Sequence, residues 1–246
     1  MNDNLENKVA LVTGASRGIG FATAVELAKN GAHVIALART VGGLEELDDE
    51  IQKVGGNATL IPHDLMDLDG IDNIGSALQE RFGKLDILVA NAAMLGPITP
   101  IGHIDAKIFE KVMHLNVTAT WRLIRSIEPL LAKSDSGRAA IISSGVAHSC
   151  KPFWGAYSTS KAAVEALARV WAAEVEKRGI CVNSVNPGAT RTAMRAQAMP
   201  GENADTLPLA EEVAAKIVPI FAPGVTVTGK LFDVRKEKFL NYQLPS

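Results

Sequence analysis

Tyr157 and Lys161 are the pair of side chains in this sequence best placed for proton transfer. They lie four residues apart, and in a helix that spacing puts both side chains on one face. A free tyrosine has a pKa of about 10, too high for ready proton exchange at neutral pH. A neighbouring ammonium stabilises the phenolate and lowers that pKa. The pair is therefore a candidate general acid and base, although such a pair also occurs by chance on helix surfaces.

A glycine-rich segment at residues 13–20 predicts a phosphate-binding turn between the first strand and the first helix. Glycines let the backbone approach a pyrophosphate, and the helix N-terminus adds unpaired N–H groups and a partial positive charge. The spacing is not the common GxGxxG, and glycines also form tight turns, so the position directly after a strand carries the inference. The candidate cofactor contacts in this turn are Gly14, Ser16, Arg17, Gly18, Ile19 and Gly20.

The end of the second predicted strand bears on the choice of cofactor. An NAD site places an acidic residue there to accept a hydrogen bond from the ribose 2′-OH. This chain has Ala38, which leaves room for a 2′-phosphate, and Arg39, whose planar donor fork can hold it. Arg17 can add a second cation. The pattern favours NADP(H) over NAD(H), with a solvated surface arginine as the alternative reading of Arg39.

The elements that must position these residues alternate between short apolar runs and helical stretches. Strands are predicted at residues 9–13, 33–37, 59–63, 85–89, 139–143, 181–185 and 230–234. Near-continuous apolar runs are typical of parallel strands covered on both faces. The sequence therefore predicts an α/β fold in one domain, residues 1–246. Its core would be a doubly wound, mostly parallel seven-stranded sheet with helices on both faces.

Two long helices and one irregular segment complete this prediction. Apolar positions that step by three and four predict a helix over residues 105–133. A second helix is predicted over residues 157–177. Residues 191–208 contain two prolines, two methionines and several small polar residues, which is typical of a mobile flap over a site.

Bulk composition excludes several classes of partner. The net charge of −2 provides no field to attract nucleic acid or an anionic membrane. The two cysteines are not in a metal-ligand spacing, so we predict no metal site, and a reducing compartment fits better than an oxidising one. The N-terminus is polar, and no apolar run reaches the length of a membrane span. We expect a soluble, cytoplasmic protein with neither nucleic acid nor membrane as a partner.

Taken together, the motifs resemble those of the short-chain dehydrogenase/reductase family over nearly the whole chain. The shared features, in order, are TGxxxGxG at residues 13–20, Asp64, Asn91-Ala92, Asn116, Ser144 thirteen residues before Tyr157, Lys161, and Pro187-Gly188. The resemblance implies a single-domain Rossmann fold and a homo-oligomer, dimer or tetramer. Residues 186–195 also resemble, more loosely, a bacterial subgroup of YciK-type oxidoreductases.

The family resemblance also implies an activity, namely NADP(H)-dependent interconversion of a small-molecule carbonyl and an alcohol. Tyr157 would exchange a proton with the substrate oxygen, and Lys161 would lower the Tyr157 pKa and bind the nicotinamide ribose. Ser144 would hold the substrate oxygen, and Asn116 would position a water. Retention of all four favours an enzyme over the alternative, a cofactor-binding family member without turnover that serves as a regulator or scaffold.

The remaining cofactor contacts are likewise implied by the family. Asp64 and Leu65 would lie at the adenine, and Asn91 and Ala92 at its ribose. The nicotinamide end would be held by Pro187, Gly188, Thr190 and Thr192. The family usually has glycine where this chain has Ala93, whose methyl narrows the space beside the cofactor or shifts the loop.

Several alternatives stay open at this stage. Asn116 could make only a structural bond, Ser143 could replace Ser144, and Asp64 could simply cap the following helix. We interpret three further polar residues as structural or pocket-lining: His114, His148 and Cys150. Phe153, Trp154, Met194 and Met199 suit an apolar substrate wall, whereas Arg191 and Arg195 either recognise an anionic group or are solvated. Trp121 and Trp171 suit either a subunit interface or the core.

Overall fold

The computed structural model describes residues 5–243 and contains a single eight-stranded sheet in that range. The strands are β1 Val9–Thr13, β2 His33–Ala38, β3 Ala58–Pro62, β4 Ile87–Ala90, β5 Arg138–Ile142, β6 Cys181–Asn186, β7 Leu231–Asp233 and β8 Lys238–Leu240. Their order is β3-β2-β1-β4-β5-β6-β7-β8, and every neighbouring pair is parallel except β7 and β8. This confirms the doubly wound, mostly parallel Rossmann arrangement.

The predicted count of seven strands was one short, because β8 was not recognised. β8 is only three residues long and follows a basic turn, so no apolar run marks it. It pairs antiparallel with β7 and brings the ring of Phe239 to 5.0 Å from that of Phe232. The strand thus extends the sheet beyond the end that the sequence pattern predicts.

The helices cover both faces of the sheet. They are α1 Gly18–Lys29, α2 Val41–Lys53, α3 Leu68–Phe82, α4 Ala106–Met113, α5 Ala119–Leu131, α6 Val146–Ser149, α7 Gly155–Val175, α8 Ala193–Ala198 and α9 Ala210–Ile217. Successive side chains of each central strand point to opposite faces of the sheet and pack against the helices there. Val12 packs with α1, α2 and α9, whereas its neighbour Leu11 packs with α3, α5 and α7. Among residues 5–243, no helix is long and apolar enough to cross a bilayer.

The helix predicted over residues 105–133 is interrupted near its middle. A wide π-helical turn, His114–Thr118, joins α4 to α5. Such turns are rare and occur frequently at functional sites. Here the turn contains Asn116, whose backbone carbonyl accepts a hydrogen bond from Thr120 Oγ1 at 2.8 Å. The apolar spacing continues across the turn, so the sequence pattern shows one unbroken helix.

Candidate active site

The candidate residues meet at the carboxyl ends of the central strands, where ligands bind in open α/β sheets. β1 ends at Thr13, β4 at Ala90, β5 at Ile142 and β6 at Asn186. The strand order reverses between β1 and β4, so the crevice between their ends is the topological switch point. The glycine turn enters this crevice from one side and the loops after β5 and β6 enter it from the other.

Tyr157 and Lys161 are both buried on α7. Lys161 Nζ donates a hydrogen bond to the carbonyl of Ile142 at 2.7 Å and lies 5.5 Å from the centre of the Tyr157 ring. Burial lowers the pKa of Lys161 to about 8, against the opposing charge of Glu165. Burial also raises the pKa of Tyr157 above its ordinary value. The sequence predicts that the Lys161 ammonium lowers the Tyr157 pKa, but in this arrangement burial raises it instead. The phenol therefore stays protonated.

The two serines after β5 differ in what they contact. Ser143 is buried, and its hydroxyl donates to Glu165 Oε1 at 2.5 Å. Ser144 is half-buried, and within residues 5–243 its Oγ accepts only a long hydrogen bond from the backbone N–H of Val146, at 3.4 Å. Since Ser143 is already engaged, Ser144 is the hydroxyl with capacity left for a ligand.

Asn116 uses both ends of its side-chain amide. Its Nδ2 donates to the Met94 carbonyl and to Ser160 Oγ, each at 2.9 Å, and its Oδ1 accepts from the Met94 N–H at 2.8 Å. Ser160 Oγ donates in turn to the Tyr157 carbonyl at 2.8 Å. Asn116 thus links the loop after β4 to the helix that carries Tyr157. These hydrogen bonds give Asn116 the structural role that the sequence offers as an alternative.

The glycine turn has the shape that a pyrophosphate requires. Gly14 and Gly18 have φ of +63° and +60°, and a Cβ on Gly20 would collide with Asn91 Nδ2 and the Gly14 carbonyl. Arg17 precedes α1 but provides no side-chain cap. Among the described residues, no side chain accepts from the N–H groups of the first turn, and an anionic diphosphate fits there.

Asn91 shapes this turn from β4. Its Nδ2 donates to the carbonyls of Thr13 and Gly14 at 3.0 and 3.3 Å. Thr13 Oγ1 accepts in return from the N–H groups of Asn91 and Ala92, at 3.0 and 3.1 Å. Sequence reasoning assigned Asn91 to the ribose and missed Thr13, although the threonine directly before the glycines was a usable signal.

The exposed end of the crevice carries the groups predicted to read the adenosine. The Arg39 side chain is 71% exposed, and its Nη1 lies 4.0 Å from Asp64 Oδ2. Asp64 Oδ1 accepts from the Met66 N–H at 3.0 Å, while Asp67 caps α3 through Gly70 N–H. The alternative of Asp64 as a helix cap is therefore wrong. The side chain of Leu65 is buried in the core, which leaves only its backbone for a ligand.

The loop after β6 closes on the glycine turn. Gly188 has a φ of +78°, and its N–H donates to Asn186 Oδ1 at 3.2 Å. Thr190 is buried and donates to the Gly188 carbonyl at 3.4 Å. Thr192 caps α8, and its Cγ2 lies 3.4 Å from where a Cβ of Gly18 would be. The residues predicted for the two ends of the cofactor therefore border one crevice.

An apolar cluster adjoins Tyr157. Leu95, Val146 and Ala198 are buried against it, with Trp154 and Met194 packed alongside. The Trp154 ring lies 6.2 Å from the Tyr157 ring. Phe153 and Met199, also predicted to form an apolar wall, are 54% and 41% exposed and do not belong to this cluster.

The arginines of residues 191–208 form ion pairs within their own segment. Arg195 Nε and Nη2 each lie 2.5 Å from a carboxylate oxygen of Glu202. Arg191 Nη2 lies 3.0 Å from Asp205 Oδ1, and its Nε donates to the Ala204 carbonyl at 2.8 Å. Arg191 is an exposed side chain, as in the solvated alternative, whereas Arg195 is mostly shielded and already paired with Glu202.

A buried carboxylate that sequence reasoning missed lies on the same helix face as Tyr157 and Lys161. Glu165 is 4% exposed, and one of its oxygens lies 2.9 Å from His148 Nε2. Its spacing of four from Lys161 and eight from Tyr157 was the available signal.

The remaining polar and aromatic residues differ in their contacts. The His148 side chain pairs with Glu165. His114 Nε2 lies 3.1 Å from the Met66 carbonyl, and Cys150 is exposed. Trp171 is buried and donates to Glu128 at 2.7 Å, so it belongs to the core, whereas Trp121 is 44% exposed. In residues 5–243, no group of three or more His, Cys, Asp or Glu could hold a metal ion.

Known proteins resemble this chain in sequence and in structure. The family model for short chain dehydrogenases matches residues 8–203. The uncharacterized oxidoreductase YciK of Escherichia coli K12 is 36% identical over 222 residues, 89% of this chain and 86% of YciK. A short chain dehydrogenase from Pseudomonas syringae superposes with a TM-score of 0.92 at 38% identity, over 95% of this chain and 97% of its own. A short chain dehydrogenase from Escherichia coli CFT073, complexed with NADPH, superposes with a TM-score of 0.90 at 34% identity. The match covers 96% of this chain and 99% of that protein's chain.

Proposed function

This chain belongs to the short-chain dehydrogenase family of oxidoreductases, and we propose that it interconverts a carbonyl and an alcohol with NADP(H). One observation carries the proposal: α7 buries Tyr157 and Lys161 on the face that packs against the loop of Ser144. A module that only binds the cofactor has no need of this arrangement.

The protein's own residues would manage the proton while the bound nicotinamide supplies or accepts the hydride. In reduction, the Tyr157 phenol would donate its proton to the carbonyl oxygen as the carbonyl carbon gains the hydride. Ser144 would donate a hydrogen bond to the same oxygen, which stabilises the charge that develops there. The Lys161 ammonium would then stabilise the phenolate left on Tyr157. In oxidation, the alcohol proton would return to Tyr157.

The preference for NADP(H) is supported by the residues at the ends of β2 and β3. Ala38 is small, and Arg39 is exposed at the carboxyl edge of the sheet. An exposed ion pair such as Arg39 with Asp64 contributes only about 0–1 kcal/mol, so Arg39 is free to exchange its partner for a 2′-phosphate. The related short chain dehydrogenase of Escherichia coli CFT073 is complexed with NADPH.

The surroundings of Tyr157 favour an uncharged, apolar carbonyl as the substrate. The cluster of Leu95, Val146, Trp154, Met194 and Ala198 offers apolar contacts. Arg195, the cation nearest in sequence to this cluster, is neutralised by Glu202. A carboxylate substrate would have to break that bidentate pair.

A screen of aldehydes, ketones and alcohols that follows NADPH absorbance tests the proposed function. We expect turnover of at least one uncharged carbonyl, faster with NADPH than with NADH. NADPH binding without turnover across the screen would contradict the proposal and favour the regulator or scaffold.

Two further sequence-based predictions are retained as proposals. Self-association would use the exposed faces of α5 and α7, where Trp121 and Val170 are 44% and 58% exposed. Light scattering coupled to gel filtration measures the oligomeric state directly. A cytoplasmic location remains our prediction from the sequence.

A further inference from the structure

The buried carboxylate of Glu165 is not used by the mechanism above, yet it contacts both ends of the loop that carries Ser144. On one side, the Ser143 hydroxyl donates to it at 2.5 Å. On the other side, His148 Nε2 lies 2.9 Å from its second oxygen. Ser144 lies between these two contacts in the chain. Glu165 therefore holds residues 143–148 at two points.

A third tie from the same helix supports this loop between those two points. Ser158 Oγ donates to the Val146 carbonyl at 2.6 Å. Ser158 and Glu165 are both on α7, the helix that carries Tyr157 and Lys161. The position of Ser144 relative to Tyr157 is thus fixed by hydrogen bonds between α7 and the loop.

We propose that Glu165 is a positioning residue for the proposed reaction, because its carboxylate fixes the Ser144 loop against α7 and supplies a counter-charge one helical turn from Lys161. This inference rests on the proposed function. It assigns one side chain to two requirements of the site, the placement of a hydroxyl and the charge of an amine.

Polar and charged groups from several elements surround the Glu165 carboxylate. Lys161 lies one helical turn before it on α7, Ser143 faces it from the end of β5 and His148 from α6. Tyr242 faces it from the segment after β8, with its ring 6.1 Å from His148 and 4.7 Å from the Arg169 guanidinium. These are the charged and titratable groups around the carboxylate in the described part of the chain.

Their effects on Glu165 and Lys161 have definite signs. Burial raises the pKa of Glu165, whereas the hydrogen bonds from Ser143 and His148 stabilise its carboxylate form. Burial lowers the pKa of Lys161 to about 8, and the charge of Glu165 opposes that fall. Removal of the negative charge must therefore lower the Lys161 pKa further. The His148 side chain is 47% exposed, so the network reaches solvent at that residue.

The first experiment measures the titration of Lys161 without any turnover. Protein labelled with ¹³C at lysine Cε is titrated by NMR, and the Lys161 resonance is assigned with Lys161→Ala. We expect Glu165→Gln to move the Lys161 titration to lower pH. The matched control is Glu174→Gln, which makes the same change at an exposed position of α7 and should leave the titration in place. An unchanged Lys161 titration in Glu165→Gln overturns the charge role.

The second experiment measures kcat and KM across pH with a carbonyl found in the screen. Glu165→Gln should reduce kcat roughly fivefold at pH 8, where Lys161 loses its proton, and much less at lower pH, with little change in KM. A merely structural role would reduce kcat equally at every pH. A loss of equal size at every pH would therefore overturn the proposed charge role of Glu165.

Variants of His148 separate the clamp from the charge and serve if Glu165→Gln fails to fold. His148→Gln can still donate to Glu165 and should keep kcat close to wild type at neutral pH. His148→Ala removes one end of the clamp and leaves the Glu165 charge in place, so it should lower kcat several-fold with little change in the Lys161 titration. The control is His103→Gln, at an exposed residue before α4. Wild-type kcat in His148→Ala would overturn the proposed clamp.

The two experiments also separate this inference from the proposed function. If no carbonyl is turned over, the proposed function fails, while the NMR titration still decides whether Glu165 controls the charge of Lys161. If turnover is found but Lys161 titrates identically in Glu165→Gln, only the inference fails.

Discussion

The two halves of the crevice are built in different ways. The cofactor half is formed mainly by backbone, namely glycines with positive φ and an uncapped helix start. The exposed side chains of Arg17 and Arg39 lie at its edge. The catalytic half is formed by buried side chains, including Asn116, Lys161 and Glu165, that reach partners far away in sequence. The first half depends on local conformation, whereas the second depends on a network. Substitutions in the two halves should therefore fail in different ways.

The largest effect is expected at the centre of the catalytic half. Tyr157→Phe removes the proton donor without changing the packing of the ring, so kcat should fall roughly 10²- to 10⁴-fold. NADPH affinity, followed by fluorescence titration, should stay within about twofold because the cofactor half is intact. Wild-type turnover by this variant on a true substrate would exclude the proposed mechanism.

The cofactor half should fail through binding and stability. In Gly20→Ala the added methyl meets the Gly14 carbonyl and Asn91 Nδ2, so the turn must shift. We expect NADPH affinity to fall at least tenfold and the free energy of unfolding to drop by about 1–3 kcal/mol. Calorimetry and fluorescence titration measure the two effects.

A glycine on another helix provides the control for this substitution. A Cβ on Gly42, in the first turn of α2, meets no atom within 4 Å. Gly42→Ala should be neutral or stabilise the helix by up to about 1 kcal/mol. Equal losses in the two variants would mean that the close approach at Gly20 is not what shapes the turn.

Arg39→Ala tests whether the exposed edge of the cofactor half reads the 2′-phosphate. The loss of a charge-assisted hydrogen bond should weaken NADPH binding about 10- to 100-fold and leave NADH binding nearly unchanged. The control is Lys53→Ala, which removes an exposed cation at the end of α2 and tests for a general effect of positive charge on cofactor binding. Equal weakening of both cofactors by Arg39→Ala would remove the basis for the NADP(H) preference.

The smallest expected effect is the pH dependence of kcat/KM, which should follow the protonation of Lys161 in the catalytic half. Lys161 is protonated below its pKa of about 8 and loses the proton above it. In the direction of carbonyl reduction, kcat/KM for NADPH, which reports the free enzyme, should therefore fall several-fold as the pH rises through about 8. A flat or rising profile over that range would show that the lysine charge is not required.

The same contrast explains what could be predicted from the sequence. The central strands and the glycine turn follow from apolar runs and glycine spacing within a few residues. The π-helical turn at Asn116 was missed because the apolar spacing continues through it. Strand β8 was missed because three residues carry no periodicity.

Side-chain partners were the least predictable part of the site. Asn91 reaches the glycine turn across 77 positions, and Ser143 reaches Glu165 across 22. Arg195 pairs with Glu202 because the chain folds back after α8. No local pattern encodes such pairings, so Asn91 and Arg195 were recognised without their contacts, and Glu165 was missed altogether.

The ion pairs of residues 191–208 have a mechanical consequence. Arg191 with Asp205 and Arg195 with Glu202 both begin and end inside the segment. If the segment moves as a rigid body, neither pair has to break. Its apolar contacts, such as those of Met194 and Ala198 beside Tyr157, would then oppose the motion. Because apolar contacts are barely screened by ions, the rate of that motion should be insensitive to salt.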